Sequence, residues 1–458
     1  LTAQPVSSEF TAPFVAGPLP GPRSAAMLAR QQDRESNART YPRHLPMAID
    51  EAHGSFVRDM DGNVFIDCLA GAGVLSLGHN HPELIGIAAE QLGRFTHGLD
   101  FPTPAKEAFI EAQLSMLPAA LQDRMKIHFC GPTGANAVDA AIKLCKTATG
   151  RSDVVSFQGG FHGSSAMGMA LTGLVQQKAP VANGMPGVHF FPYTYCSRCP
   201  LGLARDTCSS NCVAYLENTL RDDLSGMTRP AAVILEMVQG EGGVIPATLE
   251  FVQRLRAITR ELAIPLIVDE VQTGCGRTGT WFAFEQYGIE PDVIVASKAL
   301  SGIGTPVAVI IYDRALDKWA PGAHTGTFRG NQLAFAAGAE AVRIVRRDGI
   351  LEQVQQRGRQ IESLLKPLEA LPWVREVRGR GMMWGIEFQD PDTGKPGGDL
   401  AQQVQDEVLR KGLILETGGR GGCVVRLLPP LNTTEDVVEQ FCRILVETVG
   451  ALRGKQAA

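Results

Sequence analysis

No stretch of this 458-residue chain is apolar for long enough to span a bilayer. Its start lacks the charged-then-apolar layout of a secretory signal. Both absences point to a cytoplasmic protein with no membrane partner. Basic blocks are missing as well, and the formal net charge is −5, so nucleic acid is a poor partner. There is no internal repeat, and low-complexity sequence is confined to the first two dozen residues. That Pro-, Gly- and Ala-rich stretch reads as an extended arm. Ten cysteines occur without a secretion signal, which argues for reduced thiols or a metal rather than a disulfide framework. The length exceeds what one simple core accommodates, so two domains are expected.

A polar helix is expected around Ser24 to Ala38. From Gly54 to Leu69, alternating apolar residues flank Asp61-Gly62, a hairpin signal. Between about residues 76 and 330, helical stretches alternate with short apolar strands. Examples are Lys126-Ile127-His128-Phe129, Asp153 to Phe157 and Ala232 to Leu235. This alternation predicts an α/β fold with a mostly parallel sheet. Beyond Asn331 come a long helix, a strand over 374–388, another helix and Val424-Val425-Arg426-Leu427. That part reads as a smaller α+β domain.

The run Leu266-Ile267-Val268 ends in Asp269-Glu270, and Val293-Ile294-Val295 is followed closely by Lys298. Short β-branched runs are buried strands, and open α/β sheets bind ligands at their C-terminal ends. A carboxylate and a lysine there suit pyridoxal 5'-phosphate (PLP). The lysine forms the Schiff base, and the carboxylate keeps the ring nitrogen protonated. Taken alone, the pair is equally a surface lysine and a capping aspartate. Gly131-Pro132-Thr133-Gly134-Ala135-Asn136-Ala137 follows a strand and opens a helix. Thr133, Gly134 and Ala135 are therefore a candidate phosphate cup.

Together with Phe161-His162-Gly163 and the 236–242 segment, these motifs resemble the class III aminotransferases over about residues 40–450. That family lies among the fold-type I PLP enzymes and includes ornithine and 4-aminobutyrate aminotransferases. The resemblance implies a large PLP domain with a seven-stranded-type sheet over 76–330. It also implies a small domain from both chain ends, 1–75 and 331–458, and a homodimer with shared active sites. Lys298 and Asp269 would be catalytic, Phe161 would stack on the ring, and Gln272 would donate to the phenolic oxygen. His162 is implied near the cofactor or as a structural histidine. In Glu236-Met237-Val238-Gln239-Gly240-Glu241, methionine replaces the family's usual proline. Glu236 is implied at the cofactor. Glu241 is implied as a gate that pairs with Arg426, which binds an α-carboxylate by a two-point contact. Thr327 would reach the phosphate of the neighbouring subunit.

Two departures narrow the substrate. Ser164 stands where many members carry an arginine after Phe-His-Gly, and Gly326-Thr327-Phe328-Arg329-Gly330-Asn331 replaces a Gly-Gly-Asn version. With the Gly-Pro-Thr-Gly loop, this looks like the 2,4-diaminobutyrate:2-oxoglutarate aminotransferases. The expected reaction moves the terminal amine of 2,4-diaminobutyrate, or a similar diamino or ω-amino acid, to 2-oxoglutarate. Arg329 is then a candidate carboxylate anchor, or a tie across the dimer. A racemase or epimerase, a lyase or a carbon–carbon bond-forming enzyme on the same scaffold is the alternative. Cys196, Cys199, Cys208 and Cys212 approach the spacing of a four-thiolate metal site, or form a cysteine-rich insertion with free thiols. The remaining cysteines read as core fillers. His79-Asn80-His81-Pro82 reads as a structural turn.

Overall fold

The computed structural model describes residues 10–181 and 184–452. Part of the expected N-terminal arm, residues 1–9, lies outside them. A seven-stranded sheet forms the centre of the molecule. Its order is Met125–Gly131, Ala308–Asp313, Val293–Ala296, Leu266–Asp269, Ala232–Leu235, Val154–Phe157, Val188–Phe191. All neighbours pair in parallel except Ala308–Asp313, which is antiparallel to both of its neighbours.

Both faces of this sheet are buried, which is why the strands read as continuous apolar runs. Successive residues alternate between two cores. Val155, Val233, Leu266, Val268 and Ile294 pack on one side. Val154, Ala232, Ile234, Ile267, Val293 and Val295 pack on the other. The second face is covered by the helix Gly134–Thr149, whose buried side is built from Ala137, Val138, Ala141, Ile142 and Leu144. These mostly small side chains let the helix approach the sheet closely. The first face is covered partly by Leu249–Glu261 and Gln332–Arg347.

The two chain ends meet in a second sheet. The strands Phe56–Asp59 and Val64–Asp67 form the predicted hairpin, and Leu413–Ile414 pairs in parallel with Val64–Asp67. Asp59 Oδ1 accepts from the N–H groups of Asp61 and Asn63, both at 2.9 Å, and fixes the turn. A third sheet is antiparallel, ordered Val374–Arg380, Met383–Phe388, Val424–Leu427, Glu416–Gly418. The single strand expected over 374–388 is thus two strands. The chain reverses at Gly381, whose φ is +54°, and a Cβ there would lie 2.6 Å from the Arg277 carbonyl oxygen. Only glycine meets both demands. The first helix spans Pro22–Arg34, shorter than the sequence pattern suggested. Among the described residues, no helix is long and apolar enough to cross a membrane.

Candidate active site

Asp269 is the last residue of its strand and pairs in register with Val295. Lys298 therefore leaves the adjacent strand beside it. Lys298 has φ +46°, a left-handed conformation uncommon outside glycine, and such strain is concentrated at functional sites. The Asp269 side chain is buried. Its Oδ2 bonds His162 Nδ1 at 2.7 Å, and its Oδ1 accepts from the Val271 N–H at 3.1 Å. Burial pushes the His162 imidazolium pKa down, but the bond to Asp269 and its charge outweigh this and leave the pKa raised. Burial also depresses the pKa of the Lys298 ammonium, against the pull of Glu241. A lysine so placed is the more readily unprotonated, as a nucleophilic amine must be.

A cavity of about 470 Å³ brings these groups together. Its walls include Gly134, Ala135, Phe161, Gln272, Glu241 and Lys298, with Thr133, His162, Glu236 and Asp269 also lining it. The helix Gly134–Thr149 opens onto it, and the first helical bond runs from the Asn136 N–H to the Thr133 carbonyl at 3.0 Å. The N–H groups of Gly134 and Ala135 lie ahead of that bond, as an anion-binding terminus requires. Gly134 is confined, since a Cβ there would come within 3.0 Å of both Val271 methyls. Glu236 accepts from the N–H groups of Phe161 and Gly240, at 2.8 and 3.0 Å. Its carboxyl is pushed up to about 7, first by burial. The Gln272 side-chain oxygen is buried with no partner, and it lies 1.8 Å from where a Gly240 Cβ would be. A buried amide end without a partner is costly unless a ligand meets it. An anion-binding helix terminus, a buried carboxylate–imidazole pair, an unpaired amide oxygen and a depressed lysine fit the phosphate, ring nitrogen, phenol O–H and aldehyde of PLP, with Gln272 placed to accept rather than, as expected, to donate.

The structure brings Glu241 and Arg426 together as an ion pair. Arg426 is fully buried, and its two terminal nitrogens donate to the two oxygens of Glu241, each at 2.9 Å. A second carboxylate partner of Arg426 escaped the sequence analysis. Glu416 accepts from Arg426 Nη2 at 2.6 Å. The signal was present in the glycine-rich turn after Thr417. A hairpin through that turn places Glu416 directly across from Arg426.

Two other candidates do not join this cavity within one chain. Thr327 is exposed, and its carbonyl accepts from His97 Nε2 at 2.6 Å. Arg329 pairs with Asp100 and donates to the His324 carbonyl at 2.9 Å. Arg329 borders a separate cleft of about 580 Å³ with Asp100, Lys106, His128, Trp319 and His324. That cleft contains neither Lys298 nor Asp269, so its larger size does not make it the chemical centre. Cys196, Cys199, Cys208 and Cys212 line a third, smaller cavity of about 160 Å³. No group of three or more His, Cys, Asp or Glu side chains is arranged to hold a metal among the described residues. All ten cysteines are unpaired; five of the scattered six are buried and Cys275 is partly so. In the histidine turn, His79 Nε2 bonds Asp67 at 2.8 Å.

Comparison with known proteins bears on this geometry. Residues 37–449 match the family model described as aminotransferase class-III. The chain is 50% identical over 445 residues to a diaminobutyrate–2-oxoglutarate aminotransferase of Rhizobium meliloti, covering 95% of this chain and 94% of that one. It is 45% identical to a protein of the same name from Haemophilus influenzae, over 92% and 94% of the two chains. Among solved structures, it superposes with a TM-score of 0.82 on a PLP-bound amine transaminase from an uncultivated Pseudomonas species. There the identity is 25%, with 91% and 97% of the two chains covered.

Proposed function

The chain belongs to the class III aminotransferases, which use PLP, and from that premise we propose that it moves the terminal amino group of L-2,4-diaminobutyrate, or a close diamino or ω-amino acid, to 2-oxoglutarate. The observation that carries this is the closed pair of Arg426 and Glu241 in the same buried site as Lys298. A guanidinium masked by a carboxylate suits two substrates in turn. Closed, it offers a diamino donor no free cation. Opened by retreat of Glu241, it offers 2-oxoglutarate a two-point carboxylate contact. The names of the two relatives agree with this choice.

When bound, the cofactor draws electrons from the substrate's amine-bearing carbon and carries the amino group between the two substrates. The chain's own groups do the rest. Lys298 Nζ moves a proton off that carbon and returns it on the other side of the exchange. Asp269 holds a proton on the ring nitrogen, and His162 braces the carboxylate. The terminus at Gly134 and Ala135 would hold the phosphate, and Phe161 would cover the ring and exclude water.

The site is proposed to be completed by a second copy. Thr327 sits beside exposed Phe95, Leu99, Phe101 and Phe328, which are 43, 44, 67 and 70% accessible. The two segments are joined by the bond from the Gly98 N–H to the Gly330 carbonyl at 2.9 Å. Such an apolar cluster favours coverage by a partner. A homodimer would bring Thr327 to the neighbour's phosphate, and Arg329 would act across the same interface. The ten unpaired cysteines agree with a cytoplasmic setting.

The test is a donor screen against 2-oxoglutarate, beginning with 2,4-diaminobutyrate and read by mass spectrometry. Glutamate and an aldehyde product are expected. No glutamate from any diamino or ω-amino acid would overturn the reading. Lys298→Ala should lose both turnover and the visible absorbance of the holoenzyme, and normal turnover in that variant would remove Lys298 from its role.

A further inference from the structure

Arg426 faces two carboxylates where one would close the gate. The Arg426 side chain is 0% accessible, against 27% for Glu241 and 18% for Glu416. Their settings differ. Glu241 lies in a turn, which a side chain can leave with little disturbance. Glu416 is held by a sheet, in register with Arg426 on the adjacent antiparallel strand. Only one of its oxygens is used by Arg426. With the gate closed, the cluster carries one positive and two negative charges. With Glu241 withdrawn, Arg426 and Glu416 balance.

We propose that Glu416 sets the charge of this switch: it keeps Arg426 aimed through both half-reactions, and it biases the site toward a donor with two ammonium groups while weakening the hold on the dicarboxylate acceptor. The inference rests on the proposed donor and acceptor. A lone arginine opposite a dianion would bind it tightly and release it slowly. A fixed counter-charge moderates that attraction and leaves excess negative charge when the cationic donor arrives. Burial first, and then the Glu241 charge, leave the Glu416 carboxyl pKa raised, while the charges of Arg426 and Lys298 act against them. The glycine beside this pair is also demanded by it, since a Cβ on Gly418 would lie 2.7 Å from Arg426 Nε.

Glu416→Gln removes the charge but keeps a carbonyl that can accept from Arg426 Nη2. Steady-state kinetics of the holoenzyme variant should move in opposite directions for the two substrates. The KM for 2-oxoglutarate should fall about threefold or more, and that for 2,4-diaminobutyrate should rise about tenfold, as expected when a charge inside a desolvated site is lost. Preference for 2,4-diaminobutyrate over 4-aminobutyrate, which lacks the second ammonium, should shrink by about the same tenfold factor. Glu416→Ala also loses the bond to Arg426, so its KM for 2-oxoglutarate should rise instead. Equal worsening of both substrates in Glu416→Gln would mean a structural role only, and unchanged constants would mean no role; either overturns the proposal. If the native enzyme ignores diamino acids but transfers other amines, the donor reading fails. The fall in the 2-oxoglutarate KM then still decides whether Glu416 tempers Arg426.

Discussion

Gly418 shows how a residue without a side chain serves the site. A Cβ there would meet Arg426 Nε at 2.7 Å and Cδ at 3.1 Å. Arg426 is held from its other end by Glu241 and Glu416 and is fully buried, so it has nowhere to retreat. Gly418→Ala should destabilise the fold by about 1–3 kcal/mol through overpacking. It should also raise the KM for the oxo-acid acceptor more than that for the amine donor, because Arg426, the proposed carboxylate anchor, is the group displaced. Thermal melting with paired steady-state kinetics measures both. At this scale, the candidate residues that line one cavity were legible wherever their setting was local. Lys298 and Asp269 stand at the ends of apolar runs, and Thr133 to Ala135 stand at a strand-to-helix turn. Glu416 was not seen because nothing beside it in the chain is chemical. Its meaning comes from a strand neighbour ten residues on.

Elements are tied together by a buried ion cluster that no motif announced. Glu387, 0% accessible, accepts from Tyr195 Oη at 2.5 Å, from Arg198 Nε and from Arg378 Nη1. Arg378 also donates to the carbonyls of Gly243 and Val244. The cluster thus joins the antiparallel sheet to the cysteine-rich segment and to the turn that carries Glu241. Burial raises the Glu387 carboxyl pKa, but Arg378 and the surrounding donors outweigh this and leave it lowered. A lowered pKa means stability that is present above the unfolded carboxylate value and is lost as pH falls through the folded one. Glu387→Gln should therefore cost about 3–5 kcal/mol near neutral pH, because two arginines lose their shared anion. The deficit should begin to narrow once pH falls below the unfolded carboxylate value, and should vanish only as pH falls through the lower native one. Melting temperatures of both proteins at pH 7 and pH 4 test the sign, and a deficit that widens in acid would reject it. The fold at this scale was largely readable: short continuous apolar runs alternating with helical stretches reported a mostly parallel sheet. The turn at Gly381 was hidden, because the glycines at 379, 381 and 385 punctuate the segment alike and do not single out the one that reverses the chain.

At the scale of the whole molecule, a single chain leaves Thr327 outside the cavity that contains Lys298. That Thr327 serves the neighbouring copy was implied only by the family resemblance, since the residues themselves carry no sign of which copy a side chain serves. The proposed homodimer resolves this, because each site then takes Lys298 from one chain and Thr327 from the other. Complementation follows from that geometry. Lys298→Ala and Thr327→Ala homodimers should each be severely impaired. In a mixed dimer, the Thr327→Ala chain supplies Lys298 and receives Thr327 from the Lys298→Ala chain, so one site is whole and the other lacks both groups. Co-refolding equal amounts should restore about a quarter of native activity, because about half of the randomly paired dimers are mixed and each has one competent site of two. Sites built within single chains would instead give no more activity than the two variants contribute separately. The recovered fraction thus distinguishes a shared site from an interface that merely stabilises each protomer.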